Sequence, residues 1–463
     1  MIEHFLTQQI ISQLPFVPTD EQNSLIVQLG QFLASRDSEK CFLLRGYAGT
    51  GKTTVISALV RAMQSLNQTT ILLAPTGRAA KVIAAYSGHA AYTIHKKIYR
   101  QHSLGEMQFG LNDNLYKNAL FIVDEASMIS NLPTENNVFG TGRLLDDLIT
   151  YIYSGDHCSM LLLGDDAQLP PVGQVNSPAL ERTKLESYGL HVNEFQLTQV
   201  VRQALESGIL HNATMLRERL SVNDINKQPQ FEFNQFTDIH KLEGQEVLES
   251  LEQSYATVGS EETIVLTRTN RRTNLYNQGI RSRILWKDDE ISNGDRLMVV
   301  KNNYFWTKDY EGIEFLANGD MFEIKRIRKF REMYGFRFAD ASLKSVDYDW
   351  EIDTMLWLDT LFTDSPEQNY ELQRTLFERV AEDYPEIRNK RDLVKAVYEN
   401  NYYNALQVRF AYSVTCHKAQ GGQWQHVYID QGILQDEQIN TDYYRWLYTA
   451  LTRATKQIFL INF

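Results

Sequence analysis

Gly46-Tyr47-Ala48-Gly49-Thr50-Gly51-Lys52-Thr53 is a complete phosphate-binding loop, and it constrains the fold of this chain more than any other stretch. It follows the apolar run Cys41–Leu44 directly and precedes the helix-like segment Val55–Met63. Its glycines let backbone N–H groups surround phosphates, Lys52 reaches the β- and γ-phosphates, and the Thr53 hydroxyl binds Mg²⁺. Gln22 apart, the candidate nucleotide ligands in the first half of the chain are therefore Gly46, Gly49, Thr50, Gly51, Lys52, Thr53 and Thr54.

A second apolar run, Leu120-Phe121-Ile122-Val123, ends in Asp124-Glu125. Acidic residues at a strand end are often only solvated turn residues. Beside a phosphate loop they read differently: Asp124 would hold Mg²⁺ through water, and Glu125 would polarise the attacking water. The two motifs together indicate nucleoside triphosphate hydrolysis without saying what it drives.

Further apolar runs fall at Thr70–Ala74, Met160–Leu163, Thr263–Leu266, Val427–Ile429 and Ile458–Ile461, alternating with helix-length segments. Such runs look like strands buried on both faces of a parallel sheet covered by helices. Their grouping predicts an α/β chain with two such domains, residues 1–94 with 120–205 and residues 206–294 with 405–463. Two insertions break the rhythm. The first, 95–119, has turn residues Gly105, Gly110 and Asn112-Asp113 and reads as a β-hairpin. The second, 295–404, begins with short strands around Gly294–Val300 and Gly319–Lys329, the pattern of a small β-barrel, and ends in the charged, helix-like Asn369–Tyr402.

A chain of 463 residues exceeds what one core usually serves, so several domains are expected. Cys41, Cys158 and Cys416 have neither zinc-ligand nor redox spacing. No secretory leader and no bilayer-length apolar run is visible, so the chain reads as cytoplasmic with no membrane partner. The net charge of −12 suppresses non-specific adhesion to nucleic acid. It leaves a local binding groove open, because charges beyond about 8–10 Å are screened at physiological salt.

The segment Gly164-Asp165-Asp166-Ala167-Gln168-Leu169-Pro170-Pro171-Val172 decides the class. It resembles motif III of the superfamily 1 helicases, and further matches follow in the family's order. Asp20-Glu21-Gln22 resembles the adenine-reading Q motif, Ala74–Ala80 motif Ia, and Thr93-Ile94-His95 motif Ib. Leu197–Arg202 resembles the segment bearing a first arginine finger, Ser413–Gly421 motif V, and Tyr448–Ala454 motif VI. The resemblance implies two RecA-like P-loop domains with ATP in the cleft between them. Lys52, Asp124, Glu125 and Gln168 would act from the first domain, with Gln22 and Gly421 as further nucleotide contacts; Arg453 and Arg202 would bridge to the γ-phosphate. Single-stranded DNA would be held through its phosphates by Thr76, His95, Asn270, Thr415 and His417. The simpler readings are that Thr76 caps a helix and that His95 is a core histidine.

His417-Lys418-Ala419-Gln420-Gly421, the Pro170-Pro171 pair and the compact insertions resemble the RecD/Dda branch. That branch moves 5′→3′ and carries a small barrel of the Src-homology kind with a helical tower. Its wedge would be the hairpin insertion, meeting the duplex junction, and Phe109 beside the Gly110 turn is either a base-stacking tip or an anchor to the domain. A bare, monomeric motor is expected, with nothing after motif VI and the last strand. Two other readings stay open: a helicase acting on RNA, and a strand-stimulated ATPase that clamps without unwinding. Repair, recombination, replication restart and mobile-element roles share the same engine.

Overall fold

The computed structural model describes residues 2–101, 109–133, 138–201, 206–310, 313 and 315–463. The chain divides into two compact units. One comprises Met1–Lys241, Ala419–Gln425 and Ile433–Phe459; the other comprises Leu242–Lys418, His426–Gly432 and Leu460–Phe463.

The first unit is built on a six-stranded sheet. Its strands are β1 (Lys40–Gly46), β2 (Thr70–Ala74), β3 (Ala91–Thr93), β6 (Leu120–Val123), β7 (Ser159–Gly164) and β8 (His191–Leu197), ordered β3-β2-β6-β7-β1-β8. Between β3 and β6 lies an antiparallel pair, β4 (Tyr99–Gln101) and β5 (Phe109–Leu111). All pairings in the large sheet are parallel. Every residue of β2, β6 and β7 is buried, which is why these strands read as unbroken apolar runs. The sheet is covered by helices Asp20–Ala34 and Lys52–Ser65, which pack Leu25, Leu29, Val55 and Leu59 on Phe42, Leu44 and Leu161. The edge strands β3 and β8 are partly exposed and mixed in composition, so no apolar run announced them.

A second sheet joins β9 (Ile239–Leu242), β10 (Thr263–Thr267), β16 (Ser413–Thr415), β17 (Trp424–Asp430) and β18 (Ala454–Ile461) in the order β16-β10-β17-β18-β9. Here β10 runs parallel to both β16 and β17. In the second unit, β11 (Arg296–Val299), β12 (Met321–Met333), β13 (Phe336–Ser345), β14 (Glu351–Trp357) and β15 (Leu406–Phe410) close into a barrel. The α/β class with two parallel sheets, an inserted barrel and an antiparallel hairpin insertion is thus as the sequence indicated.

Three details differ. The barrel is closed by β15, which pairs antiparallel with β11, so the sequence beyond residue 405 first completes the barrel and returns to the second sheet only at Ser413. An all-buried strand reads the same in either setting, so periodicity could not assign it. The helical segment is two helices, Pro366–Ala381 and Lys390–Tyr398, whose Leu376, Val380 and Val397 pack on Phe336, Phe338 and Trp357 of the barrel. Gly110 lies within β5, opposite Arg100, rather than in a turn; residues 102–108, which join the two strands, lie outside the described residues.

Candidate functional site

Because β6, β7 and β1 are adjacent and parallel, the segments leaving their C-terminal ends share one edge of the sheet, the usual place for ligands in such folds. From β1 comes the phosphate loop. Gly49 and Gly51 adopt φ of +76° and +79°, a left-handed conformation open to glycine at no steric cost. Lys52 opens the following helix, and its Nζ donates to the Gly46 carbonyl and, at 3.2 Å, to that of Gly164. Thr53 and Thr54 follow in the helix's first turn, half-buried.

From β6 come the two carboxylates. Asp124 Oδ1 accepts the N–H of Glu125 at 2.8 Å. Burial first, and the neighbouring Glu125 charge second, push the Asp124 carboxyl up to about 6. Glu125 sits at φ +52°, a strained conformation for a non-glycine residue that costs about 1–3 kcal/mol and collects at functional sites. The Arg453 guanidinium is 4% exposed and lies 3.7 Å from Glu125 Oε1. It is steadied by the Thr449 carbonyl (3.0 Å) and the Thr452 hydroxyl (3.1 Å).

From β7 comes the Asp165–Leu169 turn. Gln168 is buried, and its Oε1 has no hydrogen-bond partner, so a donor must come from elsewhere to satisfy it. Among the described residues no group of three or more His, Cys, Asp or Glu could hold a metal. A divalent cation here fits Thr53 and Asp124 only together with phosphate oxygens, as Mg²⁺ is usually held in phosphoryl-transfer sites.

Gln22 donates its Nε2 to the Thr50 carbonyl at 3.0 Å, while its Oε1 accepts the Thr19 N–H in a capping box. A Cβ on Gly51 would stand 2.4 Å from that Nε2. Gln22 therefore braces the phosphate loop, and an adenine contact would be made beside these bonds or in exchange for one. Gly421, at φ +75°, lies against the motif Ia helix: a Cβ there would be 2.7 Å from Ala79 Cβ and 3.1 Å from Thr76 Oγ1. Arg202 lies outside the described residues.

The candidate strand contacts also leave C-terminal strand ends. Thr76 follows β2 and His95 follows β3, which are paired at Ala74–Thr93. Asn270 follows β10 while Thr415 and His417 end and follow β16, paired at Thr267–Thr415. Thr76 caps its helix by accepting the Ala79 N–H at 3.2 Å. His95 is only partly exposed between Tyr99 and Phe139, and desolvation pushes its imidazole down to about 4, so it is neutral at physiological pH. Phe109 is 4% exposed and packs on Phe139 at 5.1 Å, the anchoring position of the two foreseen for it and not an exposed tip. Asp165, Gln420, Tyr448 and Thr449 also form hydrogen bonds at the site; they lie inside the helicase-like motifs, but no pattern in the sequence assigns them a role.

A phosphate loop, a carboxylate pair and a buried arginine at one sheet edge define a P-loop nucleoside triphosphatase. Residues 20–225 match the AAA domain family, and residues 410–461 match the UvrD-like helicase C-terminal domain family. An uncharacterized protein of Acanthamoeba polyphaga mimivirus is 25% identical over 92% of this chain and 96% of its own length. The ATP-dependent RecD2 DNA helicase of Deinococcus radiodurans is 31% identical over 42% of this chain, which spans 23% of that protein. The fold is also that of a Bacteroides Pif1 helicase solved with ADP-AlF3 and ssDNA, with a TM-score of 0.50, 15% identity and 97% and 93% of the two chains covered. By these matches the chain is similar to the superfamily 1 helicases of the RecD and Dda branch.

Proposed function

We propose that this chain is an ATP-dependent DNA helicase that moves 5′→3′ along single-stranded DNA and separates the duplex ahead of it. The observation that carries the reading is the meeting of Lys52, Asp124, Glu125 and Arg453 at one sheet edge, with Gln168 buried in the turn after the neighbouring strand β7. In this reading Lys52 and the loop N–H groups bind the ATP phosphates, and Thr53 and Asp124 would hold Mg²⁺, which would supply charge neutralisation at the phosphates. Glu125 orients and deprotonates the attacking water. Arg453, with Arg202, stabilises the charge that grows on the γ-phosphoryl oxygens, and Gln168 senses that group. Each turnover would open and close the two RecA-like domains assigned from the sequence and advance them on the strand.

Thr76, His95, Asn270, Thr415 and His417 supply the strand contacts, and the 95–119 insertion acts as the wedge at a duplex junction. Their emergence from the C-terminal ends of two neighbouring strands in each sheet supports this. Because Phe109 is buried, the wedge surface itself belongs to other residues of the insertion.

The test is ATP hydrolysis with and without single-stranded DNA, with matched RNA, and with a Lys52→Ala control. Strong stimulation by DNA alone, lost in the variant, is expected, and 5′-tailed but not 3′-tailed duplexes should then be unwound. Stimulation by RNA alone would make it an RNA motor. Stimulated hydrolysis without strand separation on either tail would make it a clamp.

A further inference from the structure

We propose that Tyr448 is a positioning residue for hydrolysis, fixing the turn that carries Gln168 by tying Asp165 to the phosphate loop. The inference rests on the ATPase reading above and adds to it a residue that no motif role accounts for.

Tyr448 is 1% exposed, on the helix Thr441–Leu451. Its hydroxyl accepts the Ala48 N–H of the phosphate loop at 2.9 Å and donates to Asp165 Oδ2 at 2.7 Å. Both capacities of the phenol are thereby used on two elements of the site. The other Asp165 oxygen accepts the Ala167 N–H at 3.0 Å, and the Asp165 carbonyl accepts the Gln168 N–H at 3.3 Å. The carboxylate thus anchors the start of the turn. Its far end is gripped by the next residue of the same helix: Thr449 Oγ1 accepts the Leu169 N–H at 2.8 Å, and Gln420 Nε2 donates to the Leu169 carbonyl at 2.8 Å.

Gln168 therefore lies between two clamps set by consecutive residues of one helix, with its backbone held and its amide oxygen unpaired. The helix leads two residues later to Arg453, 3.7 Å from Glu125. One rigid element thus sets both the sensor side chain and the arginine. Replacing Tyr448 by Phe keeps the ring and its packing. It removes only the hydroxyl, leaving a partly buried N–H and a buried carboxylate oxygen without that partner. The turn then loses its anchor to the loop while Lys52, Thr53 and Asp124 are untouched. That geometry separates hydrolysis from nucleotide binding.

The experiment uses the full chain with saturating single-stranded DNA and measures steady-state hydrolysis, affinity for a fluorescent ATP analogue, and thermal melting. Variants are Tyr448→Phe, Asp165→Asn, their combination, and Thr449→Val at the far clamp. For Tyr448→Phe we expect kcat to fall about tenfold or more while KM and analogue affinity stay within about twofold. The double variant should be no slower than the slower single, since both break one path. Thr449→Val should give the same split, which keeps the test decisive if Tyr448→Phe folds poorly. A wild-type kcat in Tyr448→Phe, with only the melting temperature lowered, overturns the inference and leaves Tyr448 as scaffold. Loss of kcat and nucleotide affinity together also overturns it, since that indicates damage to the loop. If the wild type itself shows no Lys52-dependent hydrolysis, the ATPase reading falls and takes this inference with it.

Discussion

Single residues at the candidate site depart from ordinary preferences, Glu125 in its backbone torsion and Asp165 in its burial. Asp165 is 1% exposed, and burial pushes its carboxyl up to about 6, opposed by Lys52 and by the Tyr448 hydrogen bond. The sign of the consequence follows from proton counting. Between the ordinary carboxylate range near 4 and about 6, the folded chain holds a proton that the unfolded chain has lost, so this group's contribution to stability falls as pH rises through that window and is flat above it. Asp165→Asn has no proton to lose. Its stability relative to wild type should therefore rise between about pH 4 and pH 7, by up to ~3 kcal/mol. Comparing the melting of the two proteins at both ends of that range checks this; a difference that ignores pH would count against an ionised, buried Asp165. The phosphate loop was legible at this scale because its requirement is local. The role of Gln22 was not, since its choice between an adenine and the Thr50 carbonyl depends on where the loop folds.

At the scale of elements, the central strands could be read from their continuous apolar runs, and the edge strands β3 and β8 could not. The hairpin insertion shows how a correct element can carry a misplaced residue. Its existence followed from turn residues, but Phe109 was set beside a turn at Gly110, and Gly110 proves to be a strand residue paired with Arg100. Phe109 then points into a ring cluster with Phe139, which also contacts Tyr99 and His95. Phe109→Ala should destabilise the chain by about 3–5 kcal/mol through the cavity it leaves. Phe109→Leu, which refills most of the volume, should restore the melting temperature and leave strand affinity at the wild-type level. A Leu variant with normal melting but weakened strand binding would return Phe109 to a stacking role.

For the molecule as a whole, the charge balance bears on how a strand is held. The net charge is −12, and the candidate contacts are hydroxyls, an amide, one imidazole held neutral by burial and a second imidazole. Binding of this kind displaces few counterions. The logarithm of strand affinity should then fall with the logarithm of salt concentration with a shallow slope, about −2 or less steep. A slope near −5 in a salt titration would reveal a lysine- and arginine-lined groove that this set of residues does not provide. Among the described residues, no helix is long and apolar enough to cross a membrane.

What the sequence determined by itself were the features written in contiguous residues: the loop after β1, the carboxylates after β6, the two α/β sheets and the inserted barrel. Each depends on neighbours in the chain, on glycine torsions, apolar runs and turn residues. The tertiary structure alone decided which distant groups meet. Ala48 and Tyr448, separated by 400 positions, share one hydrogen bond; β15 closes the barrel before β16 enters the second sheet. A buried donor takes whichever acceptor packing brings within reach, and an all-buried strand pairs wherever an open edge lies beside it. Neither choice leaves a period or a spacing in the chain.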